Sequence, residues 1–238
     1  MSRQHALARR VVVALLAVSA LVPATAAQGQ TGGQECPTVG AYTVTGEVTH
    51  PALTETSGIA ASRRQPGIFW IHNDSGNSND LYAINDDGDI LMQVGLANID
   101  NFDFEDIAVG PGPDADADYI YIADVGNNLF VREVVYIYRI KEPKVTSGLL
   151  DLPLSAIERF DFSHENPSGG IWNRNGEALA VDPVLGDLVL IEKHLGTVDG
   201  IPNSSWVYRI RQEDLVEGQV ILAKPIVAIR GRYNLSLI

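Results

Sequence analysis

The 238 residues are 45% hydrophobic and 20% charged, and 30 Asp and Glu outnumber 17 Lys and Arg for a net charge of −13. So acidic a chain is repelled by nucleic acid and by anionic lipid, and it favours cations, or small ligands bridged by cations, as partners; plain solubility in a salty exterior accounts for the same surface acids. Cys36 is the single cysteine, which excludes a fold held by internal disulfides.

The chain begins with three arginines and no acid in MSRQHALARR, followed by the apolar run VVVALLAVSALV and the small-x-small pattern Ala24-Thr25-Ala26. That order is a secretory signal over residues 1–26, and the expected location is extracytoplasmic. The rival, a membrane-spanning helix, needs roughly 18 to 20 apolar residues, and this run stops at Pro23. Removal of residues 1–26 leaves 14 basic residues against 30 acids, a net −16. Residues 27–50 then read as a Gly-rich leader and a first outer strand, and residues 51–238 as one domain.

From there the chain is a succession of short runs rich in Ile, Val, Tyr and Trp, separated by Gly, Asn, Asp and Pro: GIFWIHND, DLYAIND, EDIAV, YIYIADVG, VVYIYRI, EALAV, DLVLIEK, SWVYRI, QVILA and PIVAI. These are strand signatures, and several are apolar at consecutive positions, as strands covered on both faces are. Helix signals are confined to SAIERF (155–160) and QEDLVEG (212–218), each long enough for a turn or two.

A repeat emerges. Glu55, Glu105 and Glu177, spaced 50 and 72 residues apart, each lead into an aliphatic-Ala pair, Ile59-Ala60, Ile107-Ala108 and Leu179-Ala180. A second strand follows that ends in polar groups, at Asn73-Asp74, Asp124 and Glu192-Lys193, and then a third, LYAI, VYIYRI and WVYRI. An acid–strand–turn–strand–polar–strand unit suits the blades of an all-β β-propeller, in which neighbouring sheets pack face to face. A β-sandwich would show cleaner alternation and give the acid no reason to recur.

In a propeller the leading strands line a central channel, so Glu55, Glu105 and Glu177 are expected to converge there. Converging carboxylates repel one another, and a bound cation removes that cost. Asn73, Asp74 and Asp124 add hard oxygen donors of the kind Ca2+ accepts. Turn-capping is the competing role for all of them. PDADADY (113–119) has Asp spacing able to wrap calcium but lacks the Gly and terminal Glu of an EF-hand, and reads more simply as a solvated loop. Arg132 pairs with a channel acid, holds an anionic ligand, or flanks the next strand at the surface. His194, beside Lys193 at a strand end, and Glu105 are the candidate bases of a cation-dependent hydrolase acting on a small ester, lactone or phosphoester. A non-catalytic ligand-binding or protein-binding propeller with structural calcium is the alternative. No G-x-S-x-G or H-E-x-x-H occurs, and Gly110-Pro111-Gly112 is a turn.

The combination ETSGIAAS, IFWIHNDSG, LYAINDDG, FDFEDIAVGP, YIYIADVGNN, VYIYRIKEP, GEALAVDP and LVLIEK resembles a family of exported bacterial β-propeller proteins. That family is grouped with calcium-dependent six-bladed propellers of the regucalcin and gluconolactonase type and the phytase-like esterases. The likeness covers roughly residues 55–210. It implies site roles for Glu55, Asn73, Asp74, Glu105, Asp106, Asp124, Asn128, Arg132 and Glu177. Of all the candidate residues, Asn73, Arg132 and Lys193 are assigned to a small-molecule ligand and Glu55, Asp74, Glu105, Asp106, Asp124 and Glu177 to the metal. Phe104 stands where Trp is usual, and Asn127 stands where an Asp is usual, which removes one carboxylate from the turn. Six blades need roughly 250 to 300 residues, so the 212 after the signal are expected to hold about four, in a chain shortened at its C-terminus.

Overall fold

Along the YIYIAD run, Ile120 and Ile122 turn one way and Tyr119, Tyr121 and Ala123 the other, and all five are buried. Both faces of this strand are therefore core, which is why its sequence does not alternate. A computed structural model shows how that arises; it describes residues 11–15, 40–41, 43–97, 99–166, 170–193, 197–198, 201–202 and 204–230. The chain is all-β.

In chain order, β1 (Val11–Leu15) pairs antiparallel with β2 (Thr43–Val48), so the apolar run assigned to the signal supplies a strand. β3 (Thr56–Ala61), β4 (Phe69–Asn73), β5 (Leu81–Ile84) and β6 (Ile90–Leu96) form an antiparallel meander. β7 (Phe104–Pro111), β8 (Asp118–Asp124) and β9 (Val135–Lys141) begin a second. β10 (Gly148–Leu152) then leaves it to pair in parallel with β6 of the first, and β11 (Ile157–Glu165) returns to complete the second beside β9. β12 (Ile171–Trp172) pairs with β11. β13 (Gly176–Val181) and β14 (Leu188–Glu192) open a third meander, β15 (Thr197–Val198) and β16 (Ile201–Pro202) form a small hairpin, and β17 (Ser204–Ile210) and β18 (Val220–Arg230) close the third. The start of β18, Val220 to Ala223, also pairs in parallel with β11. Each outer strand of the first two meanders thus receives a parallel strand from the meander that follows.

Short 3-10 turns at Leu154–Ala156 and Gln212–Asp214 stand where the two weak helix signals lie. The first stops after one turn because Ile157 onward is captured by β9 along six paired residues. QVILA and PIVAI, two runs in sequence, are one strand through Pro225. Among the described residues three four-stranded meanders are complete, against the about four that chain length suggested.

The second meander lies between the other two. One core cluster joins Trp70, Ala83 and Val94 of the first to Ile107, Ile120, Ile122 and Tyr138 of the second. Another joins Tyr121, Ala123, Ile137 and Phe162 of the second to Leu179, Leu190 and Tyr208 of the third. Each fully buried Val, Leu, Ile or Phe among them contributes about 1.5–3 kcal/mol. The leading strands are brought together: β7 lies against β3 on one side and β13 on the other. Among the described residues no helix is long and apolar enough to cross a membrane.

Candidate metal centre

The three leading strands share an irregularity at the same point. Phe104 pairs with Asp124, but the next pair is Asp106 with Ala123; Gly176 pairs with Glu192, but the next is Ala178 with Ile191; Thr56 pairs with Asn73, but the next is Ile59 with Ile71. Each is a β-bulge, which kinks the strand and re-aims the inserted side chain. The bulge holds Glu105 in β7 and Glu177 in β13. In β3 it holds Ser57 and Gly58, not Glu55.

Counting from the aliphatic-Ala pair gives the same result. Ser57, Glu105 and Glu177 are structural equivalents, and Glu55 matches Asp103 and Asn175. Glu55 is exposed and its Oε2 accepts a hydrogen bond from Asn77 Nδ2 at 3.2 Å. Ser57 instead donates its hydroxyl to the Glu105 carbonyl at 2.8 Å, tying the first bulge to the second.

Three carboxylates do converge: Asp74 just after β4, Asp103 just before β7, and Glu105 in the bulge each offer an oxygen within 4.8 Å of the others. Gly126 makes room for them, because a Cβ there would stand inside the contact distance of the Asp103 carboxyl and Glu105 Oε1. Burial pushes the Glu105 carboxyl up to about 8, and the nearby charges of Glu177, Asp103 and Asp74 push it the same way against the pull of Lys193. Asp103 is also raised, by burial and by Asp74, although a Ser75 hydrogen bond opposes this. Such a cluster is costly when fully ionised and is relieved by either a proton or a cation. Its donors are all hard oxygens, so the residues fit a divalent cation of the Ca2+ class, which completes its shell of six to eight oxygens with carbonyls or water.

Glu177 stands at the edge of this cluster, its Oε1 2.7 Å from Lys193 Nζ. Burial works against the Lys193 charge, but the Glu177 hydrogen bond and the charges of Glu177, Glu105 and Asp103 outweigh it and raise the ammonium. Lys193 is thus the cation that the chain itself places beside the acids.

The other expected residues hold backbone. Asp106 accepts the Ile107 and Leu179 amides at 2.8 and 2.7 Å, so its carboxylate is committed to joining β7 to β13. Burial raises it to about 6 in spite of those amides. Asp124, with no exposed surface, binds Arg132: Nη1 lies 2.9 Å from Oδ1, and Nη2 donates to its carbonyl at 3.1 Å. The Asp103 amide donates to the same Oδ1. Arg132 also donates to the Gly126 carbonyl at 2.8 Å, which fixes the turn that leaves room for the cluster. Asn73 is buried; its Oδ1 accepts the Glu55 amide and its Nδ2 donates to the Ala52 carbonyl. Asn128 is exposed and accepts from Asn175 Nδ2. His194 lies outside the described residues.

Several polar residues take roles that composition hid. Asn127, which removes a carboxylate from its turn, uses its amide Nδ2 to donate to the Arg132 and Arg174 carbonyls while Oδ1 accepts the Val131 and Arg132 amides. A carboxylate has no N–H for the first pair. The PDADADY loop is closed by cations of its own chain: Lys141 Nζ lies 2.8 Å from Asp114 Oδ2, and Arg63 and Arg64 reach Asp118 at 3.2 and 3.5 Å. Asp103, which lining up the repeats on their acids misses, is visible only when the acids are counted back from the aliphatic-Ala pair.

Compared with protein-family models and with curated proteins, the chain matches none.

Proposed function

We propose that the chain is an exported β-propeller protein that holds a divalent cation, calcium by preference, through Asp74, Asp103 and Glu105 at the mouth of its central channel. The observation that carries this is the convergence of those three carboxylates, with Glu105 raised to about 8 by burial and like charge. The side-by-side leading strands and the bulge repeated in each support consecutive blades of one propeller. The signal-like leader and the motif resemblance to calcium-dependent six-bladed propellers point the same way. The chain's own groups set the site: Gly126 admits the acids, Arg132 fixes the turn that carries Gly126, and Lys193 limits the excess charge. Calorimetric titration of calcium into EDTA-treated protein tests this, with saturable binding expected in the native chain and its loss in Asp103→Asn and Glu105→Gln. Unchanged calcium heats in the double variant overturn it.

A hydrolytic activity on a small ester, lactone or phosphoester is the second reading, favoured by a carboxylate cluster with Lys193 at its edge, where a cation and an anionic group could be held side by side. A bound divalent cation would supply Lewis-acid polarisation of the reacting oxygen. Lys193 would orient an anionic group. Turnover of a panel of such substrates that stops on chelation supports this reading; turnover indifferent to chelation removes it.

A further inference from the structure

Phe102 and Asp103 are neighbours in sequence and serve different places. Asp103 joins the acidic cluster, whereas Phe102, 58% exposed, forms a lip of a cleft of about 480 Å³ on the outer flank of the second meander. The cleft opens where the segment between β6 and β7, the Leu154–Ala156 turn, the start of β11 and the turn before β18 meet. That volume lies in the range of small-molecule sites.

Half of its lining is apolar, with Ile99, Tyr138 and Ile157 set more deeply and Phe102 and Leu154 at the surface, and the other half is polar or charged. The cationic groups near it are already engaged. Arg159 Nε lies 2.8 Å from Asp161 Oδ1 and its guanidinium sits 4.9 Å over the Tyr136 ring. Arg139 donates twice to Glu158, at 2.7 Å each. Two carboxylates remain at the rim, Asp100 and Glu217, and among the described residues neither has a cationic side-chain partner. One Glu217 oxygen accepts the Arg159 amide at 3.0 Å.

We propose that this cleft binds a small organic cation with a flat apolar body, of the arylalkylammonium class. The ring lies against Phe102, Tyr138 and Ile157, and the ammonium points to Asp100 and Glu217. Apolar contact alone takes a neutral or a charged ring equally well. The two carboxylates then favour the cation, and the net charge of −13 disfavours an anion. None of these lining residues belongs to the carboxylate cluster, so this site does not depend on the cation reading above.

The test titrates the full-length chain, with EDTA and with calcium, with three probes of one shape: 2-phenylethylammonium, 2-phenylethanol and 3-phenylpropionate. The ammonium is expected to bind about tenfold tighter than the alcohol, the propionate weakest, and the order is expected to be the same with and without calcium. Asp100→Asn with Glu217→Gln, which keeps an oxygen for the Arg159 amide, erases the preference for the ammonium. Phe102→Ala weakens all three probes, and Leu154→Ala, at a second exposed lip position, repeats the effect. Equal binding of ammonium and alcohol, no binding at millimolar probe, or rim variants that keep the preference overturn the proposal. Ammonium binding that calcium abolishes overturns it as well, because the probe then sits in the carboxylate cluster.

Discussion

The Asp106 carboxylate bridges two meanders by accepting the Leu179 amide of β13 at 2.7 Å, and the same group accepts the Ile107 amide of its own strand at 2.8 Å. A side chain read as a metal ligand is therefore a backbone clamp between leading strands. Its removal orphans two partly buried amides, each at about 1–3 kcal/mol. Asp106→Ala is expected to lower stability by about 2–4 kcal/mol in urea denaturation. Calcium binding is expected to be retained, since the Asp106 carboxylate is taken up by the two amides and does not join the Asp74, Asp103 and Glu105 cluster. Loss of calcium binding at unchanged stability would reverse that assignment.

Arg132 is the only cation paired with the fully buried Asp124 among the described residues. Breaking a buried pair from one side strands the other charge, at about 3–5 kcal/mol. Arg132→Ala is expected to destabilise by that amount, and the double variant Arg132→Ala, Asp124→Asn to recover part of the loss. A double-mutant cycle with no coupling would refute the pairing.

Gly126 earns its place by what it lacks. In Gly126→Ala the added methyl meets the Asp103 and Glu105 carboxyls, so the acids must part. The expected result is a calcium affinity at least about tenfold weaker with the fold retained, read from the calcium-dependent rise in melting temperature. A rise equal to that of the native chain would show that the cluster tolerates a wider spacing.

His164 gives a pH dependence of definite sign. It is buried between Phe162 and Tyr208, at ring centroid distances of 5.5 and 4.7 Å, and burial, with help from the Arg174 charge, lowers it to about 3. Below its unfolded value of 6.5 the unfolded chain takes up the proton and the folded chain does not. Its contribution is therefore intact above pH 6.5 and is lost as pH falls toward 3, by up to about 1.4 kcal/mol per unit. Relative to His164→Leu, native stability is expected to decline across that window; parallel curves would contradict it. Glu105 acts in the opposite sense. Its folded value near 8 exceeds the ordinary 4.5, so without calcium the native chain is expected to gain stability over Glu105→Gln as pH falls from 8 toward 4.5.

Much of the architecture was legible because two-sided burial leaves a clear mark. IFWIHN, LYAI, YIYIAD, VYIYRI and LVLIE are all strands, and their unbroken apolar runs reflect sheets stacked on both faces. The outer strands were harder. ILMQVGL, GLLDL and IERFDFSHE mix polar and apolar residues because one side meets solvent, and the last begins beside a Ser that mimics a helix start. Pairing with β9 decides its form, and that partner is distant in sequence. The acidic site was half visible. Asp74 and Glu105 follow from the repeat, but lining up the repeats on their acids put Glu55 two positions out of phase and hid Asp103. The roles of Asp106, Asp124 and Asn73 depend on which backbone amides lie opposite, and no local pattern carries that information.

The parallel strands β10 and the head of β18 have a consequence for how the chain can be divided. Each outer edge is sealed by a segment made later, β6 by Gly148–Leu152 and β11 by Val220–Ala223. A fragment ending at residue 97 would leave the ribosome with a bare rim, and one ending at residue 193 would do the same one unit further on. Boundaries drawn between the repeats are therefore poor places to cut, and fragments that respect the overlap should stay soluble where modular truncations clump.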